Sequence, residues 1–282
     1  MSPPICDSLF LSPVTANEIE VEIAKLNASK AVGPSSIPIV ILKILKCELS
    51  GPLETICNTS FLTGSVPEKL KMARVIPIFK NYRPISLLSV FNKLLEKLMF
   101  KRKIDFLNKR QIIYSIQFGF RSHYSTEYAV LSIIDQFLLA IESHDYSCGI
   151  FLDFNKAFDT VNHQIPLRNL DYYGIRGVVK DWFTSYLSNR SQFVSLGAIN
   201  SDTQTVSFGV PQGSVLGPLL FLIYVNDFHN CSKLLDFHLF ADDANLFFQH
   251  RDINMFESLI NSERQKVLNW LCANKLSLNI DK

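Results

Sequence analysis

The sequence contains no C-x-x-C pair. Its six cysteines, Cys6, Cys47, Cys57, Cys148, Cys231 and Cys272, are scattered, and their spacings match no zinc module. In a chain of 282 residues such thiols are expected to be reduced, buried and inert. A secretory leader pattern is also missing, because MSPPICDSLF has no basic start followed by an apolar run. The longest apolar run, Leu219 to Val225, is too short to span a bilayer. These absences lead us to expect a soluble, intracellular chain with no membrane partner. Charge of one sign is scarce too. The formal net charge of +2 does not by itself announce a polyanionic partner. Internal repeats and low-complexity linkers are absent.

What the chain has in quantity is apolar surface. Hydrophobic residues make up 48%, charged residues 19%, and there are 22 phenylalanines. That composition excludes disorder and allows one large domain or two modest ones around an aromatic-rich core. Periodicity predicts helices over 15–30, capped by Thr15 or Asn17, over 38–49, stopped by Ser50-Gly51-Pro52, and over 53–62, ended by Gly64. A strand is expected over 73–79, a loop over 82–86, and helices over 90–107 and 126–143. The character then changes. Residues 146–154 read as a compact strand ending in an aspartate, 192–196 and 203–208 as paired strands, and 219–228 as a very apolar helix. Residues 234–248 read as strand, tight turn and strand with Ala241-Asp242-Asp243 at the tip, and a last helix holds 267–271.

Three local patterns carry chemistry. A strand-end aspartate, Asp153, and a hairpin-tip pair, Asp242 and Asp243, can converge from distant positions. Adjacent aspartates in a turn are ordinarily turn formers. Here LLDFHLF precedes the pair and ANLFF follows it, and two charges in so apolar a setting make sense if a cation compensates them. The second pattern is GVPQGSVLGP, 209 to 218. Its glycines permit close backbone approach, and Gln212 offers a donor and an acceptor, although any helix-entry loop looks similar. The third is the basic run of 93–110, with Lys97, Lys101 and Arg102. It is either a solvated helix face or a phosphate-contacting one.

In combination and order, FLDFNKAFDTVNH, GVPQGSVLGP and FADD, with ARVIPIFK, NYRPISLLSVFNKLLEK, QFGFR and NKLSLNIDK, resemble the reverse transcriptases of non-LTR, jockey-type retrotransposons. The resemblance runs from about Leu11 to Lys282. It implies an α/β right-hand polymerase: an N-terminal extension and fingers over about 1–145, then an antiparallel palm sheet with helices packed on it over about 146–282. It also implies RNA-directed DNA synthesis from dNTP onto a DNA primer, with two Mg²⁺ ions (or Mn²⁺) held by the catalytic Asp153, Asp242 and Asp243 and by the carbonyl of Phe154. By the same resemblance Phe158 lies under the incoming sugar and excludes a 2′-hydroxyl. Gln212 lies against template and nucleotide, Lys80 and Arg83 hold the triphosphate, and Lys282 protonates the leaving pyrophosphate. Arg121 faces nucleic acid. A nuclear and cytoplasmic ribonucleoprotein is the implied setting.

This sequence also departs from the pattern. ARVIPIFK runs directly into NYRPIS, where relatives carry roughly ten more polar residues, beyond an ordinary hairpin loop. Ser35 replaces a common aspartate, His123 and Tyr124 stand where an asparagine and a histidine are usual, and Pro166 falls early in an expected helix. The chain ends before the expected thumb, with no endonuclease domain or zinc knuckle. These departures lead us to expect a fragment with reduced activity. The rivals are a domesticated remnant that only binds RNA, and another two-metal enzyme such as a nucleotide cyclase or an RNA-templated RNA polymerase, which Phe158 disfavours.

Overall fold

The computed structural model describes residues 5–29, 31, 33–35, 37–77, 85–197 and 199–279. Among these, in chain order, the helices are α1 (Ala16–Ala24), α2 (Ile39–Ile44), α3 (Lys46–Thr63), α4 (Val90–Lys109), α5 (Thr126–Glu142), α6 (Gln164–Tyr172), α7 (Val178–Leu187), α8 (Leu216–Val225) and α9 (Ile253–Ala273). The strands are β1 (Met72–Ile76), β2 (Ile85–Leu88), β3 (Tyr146–Asp153), β4 (Arg190–Leu196), β5 (Ile199–Asn200), β6 (Gln204–Val206), β7 (Asp236–Phe240) and β8 (Asp243–His250). The class is mixed α/β, as expected. None of the described helices is long and apolar enough to cross a membrane. The chain divides into two compact units, one formed by Gln111–Asn162 and Phe221–Lys282, the other by Pro3–Arg110 and His163–Leu220.

The first unit is built on an antiparallel sheet of order β3-β8-β7. Its strands alternate as a sheet covered on both faces must. His238 and Phe247 point to α5, where His238 Nδ1 meets Ser132 Oγ at 3.0 Å and the Phe247 ring stands edge-on to Phe137. Phe237 and Phe248 point the other way, against Phe228 and against Phe256 of α9. On α5, Ala129 and Ala140 are buried, and Ser125 caps the helix by accepting from the Tyr128 N–H.

The second unit holds a mixed sheet in which β1 pairs antiparallel with β2 and parallel with β4, while β5 and β6 pair with β4. Trp182 of α7 is fully buried, edge-on to Phe61 of α3, with its indole N–H on Ser60 Oγ at 2.9 Å.

Four expectations need correcting. The helix expected to stop at Ser50-Gly51-Pro52 instead breaks at Leu45 and restarts as α3, which runs through Pro52 to its left-handed Gly64 cap. Burial of Leu53, Cys57 and Phe61 on one face outweighs the lost proline hydrogen bond. Residues 85–86, taken as loop, belong to β2, whose pairing with β1 overrides weak local preference. The last helix, placed at 267–271, runs from Ile253 to Ala273; Val267 and Leu271 are buried, and Phe256 near its start packs on Phe248 of β8, a contact that extends the helix far upstream. Finally, Cys57 alone is buried, its thiol pushed up to about 12 by desolvation, whereas Cys6, Cys47 and Cys272 are exposed.

Candidate active site

The two-residue turn Ala241-Asp242 joins β7 to β8, since Phe240 pairs with Asp243. Ala241 takes φ +56°, a left-handed conformation that costs a residue with a Cβ roughly 1–2 kcal/mol. Register then places Asp153, the last residue of β3, directly opposite Asp243, the first of β8. Directly opposed residues of an antiparallel pair project to the same face. Both carboxylates line one cleft of about 400 Å³, together with Asn245, Asn279 and the apolar start of α5 at Thr126, Ala129 and Val130. Asp153 is half-buried and Asp243 exposed. The chain beyond α9 returns to this strand end. The Asn279 N–H donates to the Asp153 carbonyl at 2.8 Å, and Asn279 Nδ2 donates to Asp153 Oδ2 at 2.9 Å. Asn279 therefore fixes the Asp153 backbone through its N–H and orients the carboxylate through its side chain.

Asp242 lies at the turn, one residue before Asp243 and half-buried. Among the described residues no three His, Cys, Asp or Glu side chains form a group able to hold a metal ion, so what register brings together is the pair. The donor set fits a hard cation such as Mg²⁺, which takes one or two carboxylates and fills its remaining positions with water and phosphate oxygens. Phe154 is buried and bridges to Leu278, and the bridge bonds use the Asn155 N–H and the Asp153 carbonyl on its two sides. Phe158 is half-buried between Phe120, at 6.0 Å edge-on, and Phe221, at 4.8 Å.

In the other unit, Gln212 is half-buried and its carbonyl accepts the Ser86 N–H at 2.8 Å. Gly213, at φ +111°, allows that approach, because a Cβ there would lie 2.9 Å from the Ser86 carbonyl oxygen. A residue that sequence reading passed over does most to hold this loop. Glu96 of α4 is fully buried and accepts from the Val215 N–H at the entry to α8, from Tyr186 Oη at 2.8 Å and from Asn92 Nδ2 at 2.6 Å. Burial raises its carboxyl above the usual range, and the three hydrogen bonds and nearby Arg190 oppose that rise. The signal was present as Asn92 and Glu96, spaced i,i+4 on the largely apolar buried stripe of α4.

Three basic residues of α4, Lys97, Lys101 and Arg102, face carboxylates of α1, whereas Lys103 is fully buried with its ammonium over the Phe183 ring. Arg102 is held by Glu18 through contacts of 3.1 and 2.8 Å and by the carbonyls of Ser12, Pro13 and Leu98. Lys101 lies 3.4 Å from Glu18, and Lys97 lies 3.7 Å from Glu22. Burial alone would raise the Glu18 carboxyl, yet Arg102, aided by Lys101, leaves it below its ordinary value. That stabilisation is present above the unfolded carboxylate pKa and is lost as pH falls through the depressed one. Arg102→Ala is accordingly expected to cost roughly 1.5–3 kcal/mol near neutrality, less in acid, and to leave the salt dependence of RNA binding unchanged. Each phosphate-contacting lysine removed should instead lower the log–log salt slope by about one unit. Urea melts and salt titrations of the single variants separate the two roles. Arg121 is likewise engaged within its own loop, donating to the carbonyls of Tyr114, Ser115 and Gln117 and stacking on Tyr124. Lys80, Arg83 and Lys282 lie outside the described residues.

Two opposed carboxylates on one cleft are oxygen donors of the type that hard divalent cations take, and such cations serve phosphoryl transfer in general. Residues 69–282 match the family described as reverse transcriptase (RNA-dependent DNA polymerase), and this chain belongs to that family. It is 33% identical over 239 residues to the RNA-directed DNA polymerase from mobile element jockey of Drosophila melanogaster, covering 80% of this chain and 26% of that protein. It is 32% identical over 242 residues, with the same coverage, to the probable RNA-directed DNA polymerase from transposon BS. To the corresponding protein of the X-element it is 30% identical, covering 77% of this chain and 25% of that one. The chain thus spans about a quarter of the length of these relatives.

Proposed function

We propose that this chain is the polymerase core of a non-LTR retrotransposon, joining the α-phosphate of a deoxynucleoside triphosphate to the 3′-hydroxyl of a DNA primer on an RNA template. The observation that carries this reading is the register that sets Asp153 opposite Asp243 on one cleft. Asp153 and Asp243, with Asp242 and the Phe154 carbonyl beside them, hold divalent cations. Two such ions, when bound, activate the attacking oxygen and stabilise the leaving one. Asn279 keeps the Asp153 carboxylate pointed at the cleft. The apolar wall of α5 limits water there and strengthens the electrostatic contacts. Gln212, Lys80, Arg83 and Lys282 are assigned to the nucleotide. Turnover is expected to be slow and distributive, because the sequence carries so few residues between Lys80 and Arg83, and a displacement of about 1 Å in a positioning group can cost about 10²-fold.

Primer extension on an RNA template with each triphosphate class tests the reading. Deoxynucleotide incorporation that depends on Mg²⁺ and on Asp153 is expected. RNA binding without any incorporation would favour a domesticated binding module, and efficient extension over many nucleotides would contradict the slow turnover.

Phe158 is assigned to sugar discrimination. Its ring is wedged between Phe120 and Phe221, which limits its swing away from a 2′-hydroxyl. Phe158→Ala is expected to raise ribonucleotide use relative to deoxyribonucleotide use. Equal loss of both, with a destabilisation of about 3–5 kcal/mol, would make Phe158 a core residue instead.

A further inference from the structure

We infer that Gln117 is a positioning residue that holds the β7–β8 turn, and with it Asp242 and Asp243, in place for cation binding. This rests on the function proposed above. The Gln117 side chain is buried, and its Oε1 accepts two backbone N–H groups, that of Ala241 at 3.0 Å and that of Gly119 at 2.8 Å. Ala241 is the left-handed residue of the turn, so its N–H belongs to the most strained peptide beside the aspartates. The Gln117 amide nitrogen is buried without a hydrogen-bond partner, which leaves the oxygen as the group that holds this side chain.

The backbone of the same segment runs alongside β7. The Phe118 N–H donates to the Leu239 carbonyl at 2.7 Å, and the Leu239 N–H donates to the Ile116 carbonyl at 3.0 Å. Gly119 lies against the same peptide, since a Cβ there would lie 2.1 Å from the Ala241 nitrogen. Without an acceptor at Oε1, the Ala241 N–H is left buried and unpaired, and the turn is free to relax toward a conformation that alanine prefers. Asp242 and Asp243 follow directly in the chain and move with it.

The test uses the full 282-residue chain with Gln117→Met, which keeps length and apolar volume and removes the acceptor. Mn²⁺ affinity of the protein without nucleic acid, kcat for single-nucleotide addition and KM for template–primer are the readouts. We expect Mn²⁺ affinity and kcat to fall roughly 10–100-fold, the usual effect of removing a group that orients metal ligands, with KM unchanged. Gly119→Ala is expected to give the same split, because its methyl would push the Ala241 peptide away from the Gln117 acceptor, and it decides the matter if Gln117→Met does not fold. Ser132→Ala, on α5 against His238, serves as a stability control that lowers the melting temperature without moving Mn²⁺ affinity. A Gln117→Met protein that melts earlier yet keeps wild-type Mn²⁺ affinity and kcat would reduce Gln117 to a packing residue. If the wild-type chain adds no nucleotide, the polymerase reading fails, and the ratio of Mn²⁺ affinities alone decides the clamp. A wild-type chain that binds no Mn²⁺ overturns both.

Discussion

Asp243→Asn is expected to reduce nucleotide incorporation by at least about 10²–10³-fold, the scale for losing one preorganised group that stabilises transition-state charge. The same substitution should leave the metal-free protein as stable as the wild type or more so. Asp243 is exposed and directly faces Asp153 across the β3–β8 ladder. Like charges so opposed destabilise a sheet, and asparagine removes one of them at almost no change in volume. A divalent cation reverses the order. It binds the native pair, so Mg²⁺ should raise the wild-type melting temperature by mass action and raise that of the variant much less. Melts with and without Mg²⁺, beside single-nucleotide addition, check both halves. A large drop in melting temperature without metal would instead make Asp243 a residue that the fold itself requires.

Glu96→Ala is expected to be the most destabilising single change on α4, at about 3–5 kcal/mol, because it breaks a fully buried network by removing its one acceptor. Asn92, Tyr186 and the Val215 N–H lose their partner together, and buried Arg190 loses its nearby counter-charge. The entry to α8 is then expected to loosen, which amide exchange at Val215 would report. The pH dependence has a definite sign. Burial raises the Glu96 carboxyl above its ordinary 4.5 in the native state. Between that value and the raised one, the native protein retains a proton that the unfolded chain has released. This group therefore makes stability fall as pH rises through the window. Glu96→Gln should abolish that slope, and urea midpoints of the two proteins compared from mildly acidic to neutral pH would show it. A constant difference between them across the series would mean that Glu96 ionises in the folded protein as it does in the unfolded chain.

The sequence by itself determined the elements whose signal is local. Residues 146–154 read as a strand and 234–248 as strand, turn and strand because their apolar runs are short and bounded by turns, and β3, β7 and β8 lie there, with Asp243 in β8 rather than at the tip. α5 was legible from apolar periodicity over 126–143, and Gly64 from its position just past the end of α3. The motifs FLDFNKAFDTVNH, GVPQGSVLGP and FADD carried the family. Local pattern does not encode partners, and those came from tertiary structure. That Asp153 stands opposite Asp243 rather than one residue out of step is a matter of register, which the burial of alternate residues on the two sheet faces decides. The parallel pairing of β1 with β4 joins residues more than a hundred positions apart, and β2 forms only because β1 is there to pair with it. α3 runs through Pro52 because its packing face outweighs a lost hydrogen bond. In the sequence Arg102 is one of a basic run that could be solvated or phosphate-contacting, Glu96 an acid within that run and Gln117 the first residue of QFGFR. Each is defined by what meets it, Glu18, Val215 or Ala241, and long-range packing brings those partners within hydrogen-bond reach.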